Sequence, residues 1–350
     1  MNRLRRKIGQ MLVMGFPGSE VNEHSVVTDW IQQGALGGVL LFDYDFTKKQ
    51  YGKNLISLQQ IKRMTAKLTD LARAAMPDLP LLIGIDYEGG AVDRLAKIDG
   101  APKTMSAAQQ GVLTEDALYA EAMKMAVTLK SLGFNLNFAP VVDLNLNEQE
   151  GIIGRLERSF SSDPKRVSQA AWQWVKAFSE QKLICSYKHF PGHGSATGDT
   201  HEGFVDVTMS YSPEEIALYE PLIQKGVTPV MIMTAHVINR HLDASGTPAT
   251  LSYPILTELL RKRMGFDGVI ISDDLQMRAI SEHYTLADAL KRTINAGADM
   301  VIFGNQLGYH AAPDLIDCIL QMVISGDIAE ARIEEAYQRI VSLKQFLPLA

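Results

Sequence analysis

Cysteine and basic charge are both scarce in this chain. Only Cys185 and Cys318 occur among the 350 residues, and each lies in an apolar run far from the other. This spacing favours reduced core thiols over a disulfide framework or a metal site, and it mildly favours a reducing compartment. The 34 Lys and Arg are outnumbered by 40 Asp and Glu, which gives a formal net charge of -6. Apart from the segment 3–7 the basic residues are dispersed, so we expect no nucleic-acid partner.

Long apolar runs are also missing. No uninterrupted apolar span reaches about 20 residues, so the sequence predicts neither a transmembrane helix nor a membrane partner. The basic segment 3–7 and the apolar segment 11–16 together resemble a signal peptide only faintly, because the apolar part is too short. We interpret the apolar part as a buried strand and expect a soluble, cytoplasmic protein. A signal peptide removed before residue 1 would leave no trace in this sequence.

Short β-rich apolar runs alternate with longer stretches of helical periodicity, which is typical of a parallel sheet covered by helices. Eight runs are predicted as strands: 10–16, 38–42, 81–86, 135–140, 183–187, 229–234, 268–272 and 300–303. The count fits a (β/α)8 barrel, although an open doubly wound sheet would give the same alternation. Among the helices, the sequence Ser-Pro-Glu-Glu at 212–215 predicts a capping box with proline at the first helical position.

Polar residues at the strand ends favour the barrel. Each of the following lies at or just past the end of a different predicted strand: Asp86, Asp143, Lys188 with His189, His236 and Asp273. In a barrel those ends meet on one face, where such enzymes keep their active sites, whereas a doubly wound sheet offers only a crevice. Since no linker, repeat or low-complexity tract divides the chain, we expect one domain over 1–350, closed by helices within 310–347.

Asp273 and Asp274 follow the seventh predicted strand directly and precede a helical pattern. Either could cap the helix that follows, which is common where a strand turns into a helix. A carboxylate at the end of a barrel strand could instead serve as a nucleophile or stabilise charge. The two roles are compatible, because one aspartate can cap while its neighbour does chemistry.

Three histidines lie on a glycine-rich segment after the fifth predicted strand. His189, His193 and His201 are suitable metal ligands, but their spacing resembles no regular ligand pair. His189 and His193 could instead simply hydrogen-bond the loop backbone. In a third interpretation Asp199 and His201 form a dyad: one residue apart, their side chains share a face of extended backbone, and Asp199 stabilises the charged imidazole.

A third cluster lies around Asp86 in the segment 84–94. Asp86 at a strand end could accept two sugar hydroxyls, and Gly89-Gly90 permits a tight turn that brings Arg94 back towards it. An internal Asp–Arg salt bridge would explain the same pattern. Arg158, which precedes Ser-Phe, could likewise either bind a sugar or form an internal salt bridge.

These segments, in this order, resemble glycoside hydrolase family 3, specifically its bacterial β-N-acetylglucosaminidase branch of the NagZ type. Residues 188–201 carry the family's hallmark throughout: Lys-His-Phe-Pro-Gly-His-Gly, four residues, then Asp-Thr-His. Further matching segments are Gly-x-Asp-x-Glu-Gly-Gly at 84–90, Phe-Ala-Pro-Val-x-Asp at 138–143, Arg-Ser-Phe at 158–160, Met-Thr-Ala-His at 233–236, and 265–277. The likeness covers nearly the whole chain.

The resemblance implies a role for each residue of the site. Asp273 would be the nucleophile, and His201, oriented by Asp199, would be the acid/base of a retaining reaction through a glycosyl-enzyme intermediate. The sugar of the −1 subsite, whose anomeric carbon reacts, would be bound by Asp86, Arg94, Arg158, Lys188 and His189. No metal and no cofactor would take part. The fold would be a (β/α)8 barrel without the second domain of many relatives.

The implied activity is exo-acting hydrolysis of terminal β-linked N-acetylglucosamine, with peptidoglycan (muropeptide) fragments as the source, by a monomer whose partner is a small carbohydrate. The alternatives are a family 3 β-glucosidase, a glycoside phosphorylase and an inactive sugar-binding barrel. Departures from the family's pattern cluster near the mouth of the barrel: Ala91 and Ser195 replace common charged residues, and 43–54 and 155–157 lengthen two loops. They leave the reaction class intact but bear on the aglycone, the part of the substrate that leaves.

Overall fold

Eight parallel strands close into a barrel in a computed structural model that describes residues 3–200, 203–226 and 229–349. The strands are β1 Leu12–Met14, β2 Gly38–Leu40, β3 Leu82–Ile85, β4 Leu136–Asn137, β5 Ile184–Phe190, β6 Val230–Thr234, β7 Ile270–Asp274 and β8 Met300–Phe303. Each pairs in parallel with its neighbours in chain order, and β8 returns to β1. The (β/α)8 prediction is confirmed, and the open doubly wound sheet is excluded.

Helices surround the barrel and occur before, between and after the strands. Their bounds are α1 Arg3–Gln10, α2 Val26–Gly34, α3 Leu58–Ala75, α4 Ala107–Gly111, α5 Glu115–Ser131, α6 Ile152–Arg155, α7 Pro164–Glu180, α8 Glu214–Ala217, α9 Tyr219–Gln224, α10 Arg278–Ser281, α11 Leu286–Ala296, α12 Ala312–Ile324 and α13 Glu330–Lys344, with a 3-10 turn at Ala249–Leu251 and a π-helix at Pro254–Arg263. Among the described residues, no helix combines the length and apolar character needed to cross a bilayer.

The strands are apolar because the barrel buries both of their faces. All residues of β1, β3 and β8 are buried, and helices cover the outer surface while side chains fill the interior. At the end of the last helix Lys344 is buried, and its Nζ donates to Gln10 Oε1 and to the Gly37 carbonyl, each at 2.7 Å. These bonds tie α13 to α1 and to the segment before β2. Helices α12 and α13 both lie within the predicted 310–347 region. Both cysteines are free.

Several local predictions are wrong, and two of them concern the site. Strand β5 continues to Phe190, three residues beyond its predicted end, so Lys188 and His189 lie on the strand rather than on a loop. The predicted capping box does not form: α8 begins at Glu214 without a side-chain cap. Glu215 turns inward instead, and its Oε2 accepts the Gly194 N–H at 2.8 Å. Buried loop amides need partners, and this demand outweighs the local capping pattern.

Three short two-stranded ladders accompany the barrel. They join Tyr44–Asp45 to Gln50–Tyr51 and Tyr87–Gly89 to Val92–Asp93, both antiparallel, and Val205–Asp206 to Val237–Ile238 in parallel. Each begins in a segment that follows the carboxyl end of a barrel strand. They therefore shape the face of the barrel on which the predicted site residues lie.

Candidate active site

A cavity of about 400 Å³ opens at the carboxyl ends of the barrel strands. Seven of the eight predicted site residues line it: Asp86, Arg94, Arg158, Lys188, His189, Asp199 and Asp273. The eighth, His201, lies outside the described residues. Side chains from distant parts of the sequence are thus brought together, because parallel strand ends converge on one face of a barrel.

A buried cluster of charges lies on the cavity wall around Glu88. Arg158 donates to its carboxylate in bidentate fashion, from Nε and Nη2 at 2.8 Å each. Lys188 Nζ lies 2.7 Å from Glu88 Oε1 and 3.1 Å from Asp86 Oδ1. Sequence reasoning missed Glu88, although it stands in the same Asp-x-Glu-Gly-Gly segment as Asp86. The partners it needs are 70 and 100 positions away, and local sequence does not reveal them.

Glu88, Arg158 and Lys188 are held in their charged forms. Burial alone would raise the pKa of Glu88, but Arg158 and Lys188 outweigh it and hold that pKa far below its usual range. Burial would likewise lower the pKa of Lys188, yet Glu88 and Asp86 raise it above its ordinary value. Fixed charges in a buried site need no reorganisation when a polar ligand arrives.

Arg94 extends the charged wall towards the mouth. Its Nη2 lies 3.7 Å from Asp86 Oδ2 and its Nη1 lies 3.5 Å from Asp43 Oδ1. The predicted tight turn that returns Arg94 is present: Gly89 and Gly90 have φ of 94° and 59°, and a Cβ on Gly89 would meet the Met105 carbonyl oxygen at 2.2 Å. The Asp–Arg contacts are long, so both groups retain capacity for a ligand.

His189 is oriented by Asp143, another residue that the sequence analysis did not count among the site residues. Its Nδ1 lies 2.6 Å from Asp143 Oδ2, and the fully buried carboxylate also accepts the His193 N–H at 2.8 Å. Burial would raise the pKa of Asp143, but the adjacent His189 lowers it. With Nδ1 committed to the carboxylate, Nε2 is the ring nitrogen that His189 can offer to the cavity.

His193 also lines the cavity, and its side chain is buried. Burial lowers the pKa of its imidazole to about 4 against the opposing effect of Asp143, so the ring is neutral at pH 7. Its Nε2 lies 3.5 Å from Thr200 Oγ1, next to Asp199. Within residues 3–200, 203–226 and 229–349, no group of three or more ligand-type side chains could hold a metal ion. The metal hypothesis also needed His201, which those ranges leave out.

The segment that carries Asp199 is fixed at several backbone points. Glu215 accepts the Gly194 N–H, and the Ala279 N–H donates to the Thr200 carbonyl at 3.3 Å. A Cβ on Gly194 would lie 2.0 Å from the Leu144 carbonyl oxygen, so only glycine permits this approach. These contacts hold Asp199 in the lining of the cavity.

Both aspartates at the end of β7 line the cavity, but their other contacts differ. Asp274 supports the following turn, because Oδ1 accepts the Gln276 N–H at 3.0 Å and Oδ2 accepts the Gly304 N–H at 3.2 Å. His236 supports the same corner, with Nε2 2.9 Å from the Asp274 carbonyl. Asp273 lies in the cavity lining, with its Oδ1 accepting the Asp274 N–H at 2.8 Å. A carboxylate so placed can attack an electrophilic carbon of a bound ligand.

Comparison with known proteins agrees with this geometry. The family profile described as the glycosyl hydrolase family 3 N-terminal domain matches residues 3–343. A β-hexosaminidase from Xanthomonas oryzae is 34% identical over 303 residues, covering 83% of each chain. β-Hexosaminidase A from Pseudoalteromonas piscicida is 31% identical over 341 residues, 92% of this chain but only 55% of that relative.

A solved structure superimposes closely. The family 3 β-N-acetylglucosaminidase from a Paenibacillus species is 31% identical with a TM-score of 0.85, and the match covers 99% of this chain and 63% of that one. The chain thus spans between about half and two thirds of some relatives and most of others. Because the match extends over almost every described element of the barrel, the chain belongs to glycosyl hydrolase family 3.

Proposed function

We propose that the chain is a retaining exo-β-N-acetylhexosaminidase that removes terminal β-linked N-acetylglucosamine. The observation that carries the proposal is the placement of Asp273, Asp199 and the charged cluster in one cavity of a family 3 barrel. The relatives named β-hexosaminidase and β-N-acetylglucosaminidase support the same sugar. Muropeptide fragments are the proposed source of that sugar.

The reaction would proceed in two displacements. In the first, the Asp273 carboxylate attacks the anomeric carbon while protonated His201 donates to the leaving oxygen, which forms a covalent glycosyl-Asp273 intermediate. In the second, neutral His201 takes a proton from water, and the water oxygen displaces Asp273 at the same carbon. Asp199 would stabilise the charged imidazole. A neutral histidine in the second step avoids placing another anion beside Asp273.

The charged wall would bind the hydroxyl groups of the sugar in the −1 subsite. Asp86 can accept from two hydroxyls, while Lys188, Arg94 and His189 Nε2 can donate to sugar oxygens. Arg158 already donates to Glu88 through two nitrogens, so its remaining Nη1 is the group we assign to the ligand. Location in the cytoplasm and a monomeric state stay predictions.

Three nitrophenyl assays test the proposal. We expect release from nitrophenyl β-N-acetylglucosaminide to exceed release from the β-glucoside by at least about 100-fold, without stimulation by phosphate. Asp273→Ala should lose at least about 1000-fold in kcat, because the nucleophile is gone. The matched control is Asp267→Ala, an aspartate at the other end of the same strand region whose side chain is 95% exposed. Preference for the glucoside, a requirement for phosphate, or activity in the Asp273 variant would each refute it.

A further inference from the structure

The insertion at 43–54 forms a β-hairpin beside the cavity. Its strands are Tyr44–Asp45 and Gln50–Tyr51, and the chain enters it directly after β2. Two of its aromatic residues are strongly exposed, Phe46 at 54% and Tyr51 at 57%. Only Phe46 also lines the cavity. An aromatic ring exposed at the rim of a polar cavity suggests a ligand contact.

The base of the hairpin is fixed to the segment that follows β8. Lys53 Nζ donates to the Asn305 carbonyl at 2.6 Å and to Gln306 Oε1 at 2.9 Å. Gln306 Nε2 in turn donates to the Tyr44 carbonyl at 2.7 Å. The Phe46 ring packs edge-on against Tyr44, with centroids 5.3 Å apart. The ring is therefore held in place before any ligand arrives, which reduces the entropy lost on binding.

The hairpin also touches the polar end of the cavity. Its first residue, Asp43, lies 3.5 Å from Arg94, which contacts Asp86. Phe46, by contrast, shares the cavity lining with the apolar side chains of Ile152 and Leu307. The cavity thus combines a charged region that suits sugar hydroxyls with an apolar rim that suits the C–H face of a pyranose ring.

We propose that Phe46 is the aromatic platform on which the sugar of the leaving group stacks, so that the 43–54 hairpin selects substrates with a saccharide aglycone. This inference rests on the proposed function, because it assigns the polar region to the terminal N-acetylglucosamine. The ring beyond the scissile bond must then lie nearer the mouth. Stacking on a fixed aromatic face would stabilise the leaving sugar through both binding and bond cleavage.

The test compares two kinds of leaving group. N,N'-diacetylchitobiose and N-acetylglucosaminyl-β1,4-N-acetylmuramic acid place a sugar ring beyond the scissile bond, and the one that the wild type cleaves faster is used. β-N-Acetylglucosaminyl azide has a leaving group too small to reach Phe46. Phe46→Ala should lower kcat/KM for the disaccharide about tenfold and change that for the azide by less than about twofold. Phe46→Tyr should keep the wild-type ratio, because it keeps the aromatic face.

Tyr309→Ala is the matched control, since it removes an aromatic ring that is 56% exposed, does not line the cavity and packs against Trp30 rather than against the hairpin. It should retain disaccharide cleavage. An equal loss in the Tyr309 and Phe46 variants, equal losses on disaccharide and azide, or no loss at all would overturn the platform. If the wild type cleaved no N-acetylglucosaminide at all, the azide included, the proposed function itself would be refuted. The two claims can therefore fail separately.

Discussion

Glu88 is the residue on which the charged wall depends. Among the residues that the structure describes, it is the one carboxylate that pairs with both Arg158 and Lys188, and all three side chains are almost fully buried. Taking charges out of water is costly, and removing one partner leaves the others uncompensated. These three residues all line the cavity, so we expect their interaction to contribute to both stability and ligand binding.

Glu88→Gln should destabilise the protein by about 3–5 kcal/mol, because it leaves two buried cations with one carboxylate partner fewer. Urea denaturation followed by tryptophan fluorescence measures the change. Glu258→Gln is the control: its carboxylate pairs with Lys262 on the surface, so we expect no measurable change. A Glu88 variant as stable as the wild type would show that water or a rearranged Asp86 compensates for the lost charge.

At the residue scale, sequence identified seven of the polar residues that line the cavity, but not the residues that orient them. The predicted residues carry local patterns, such as a polar group after an apolar run at Asp86 or Asp273. Asp143 also follows such a run, yet its bond to His189 joins positions 46 apart. Which side chain orients which depends on strands that meet only in the closed barrel. Spacing along the chain therefore could not distinguish lining from support.

At the scale of elements, a buried carboxylate on α8 fixes the loop that joins β5 to α8. Glu215 accepts the Gly194 N–H at 2.8 Å and the Ser195 N–H at 3.4 Å. Burial raises its pKa to about 7, and the negative charge of Asp143 adds to the effect. The carboxyl of Glu215 therefore titrates near neutral pH in the folded protein, whereas in the unfolded chain it titrates near its ordinary value of 4.5.

This difference predicts how stability depends on pH. Between about pH 4.5 and 7 the folded state binds the Glu215 proton more tightly than the unfolded state does, so the stability it contributes is present at low pH and lost as pH rises. His193 acts oppositely: with a folded pKa of about 4, it lowers stability as pH falls below 6.5. The wild-type curve is therefore a sum of opposing effects, and a variant is needed to separate them.

Glu215→Gln keeps a side-chain oxygen that can accept the Gly194 N–H and removes the carboxyl group that titrates. The free energy of unfolding of the wild type minus that of the variant should fall by roughly 3 kcal/mol between about pH 4.5 and 7. Denaturation at four pH values across that interval measures the difference, in which the contribution of His193 cancels. A difference that does not change with pH would contradict the burial of an ionising Glu215 carboxyl.

Elements were predicted well in position and less well at their ends. Every predicted strand has a counterpart in the barrel, because buried parallel strands are apolar along their whole length. The ends of β5 and β7 were placed too early, since Lys188, His189, Asp273 and Asp274 are polar and still lie on strands. Their side chains find partners at the mouth, and that tertiary environment overrides the local polarity.

At the scale of the whole molecule, the topology of the barrel brings the reactive groups together, although they are far apart in the sequence. Asp86, Lys188 and Asp273 lie on or next to β3, β5 and β7, and only closure of the barrel brings them to one cavity. The alternation of apolar runs and helical stretches fitted an open sheet as well, and it was the polar residues at the strand ends that favoured closure. The hairpin at 43–54 was recognised as extra sequence, but its aromatic ring at the cavity rim required the fold.

One measurement tests the central claim most directly, namely that Asp273 bonds to the anomeric carbon. The protein is incubated with 2-acetamido-2-deoxy-5-fluoro-β-glucosyl fluoride, which slows breakdown of a glycosyl-enzyme, and its mass is measured intact and after digestion. We expect a gain of one fluorinated N-acetylglucosaminyl group, located on Asp273 and absent from Asp273→Ala. An adduct on another residue, or turnover of N-acetylglucosaminides without any adduct, would contradict the account.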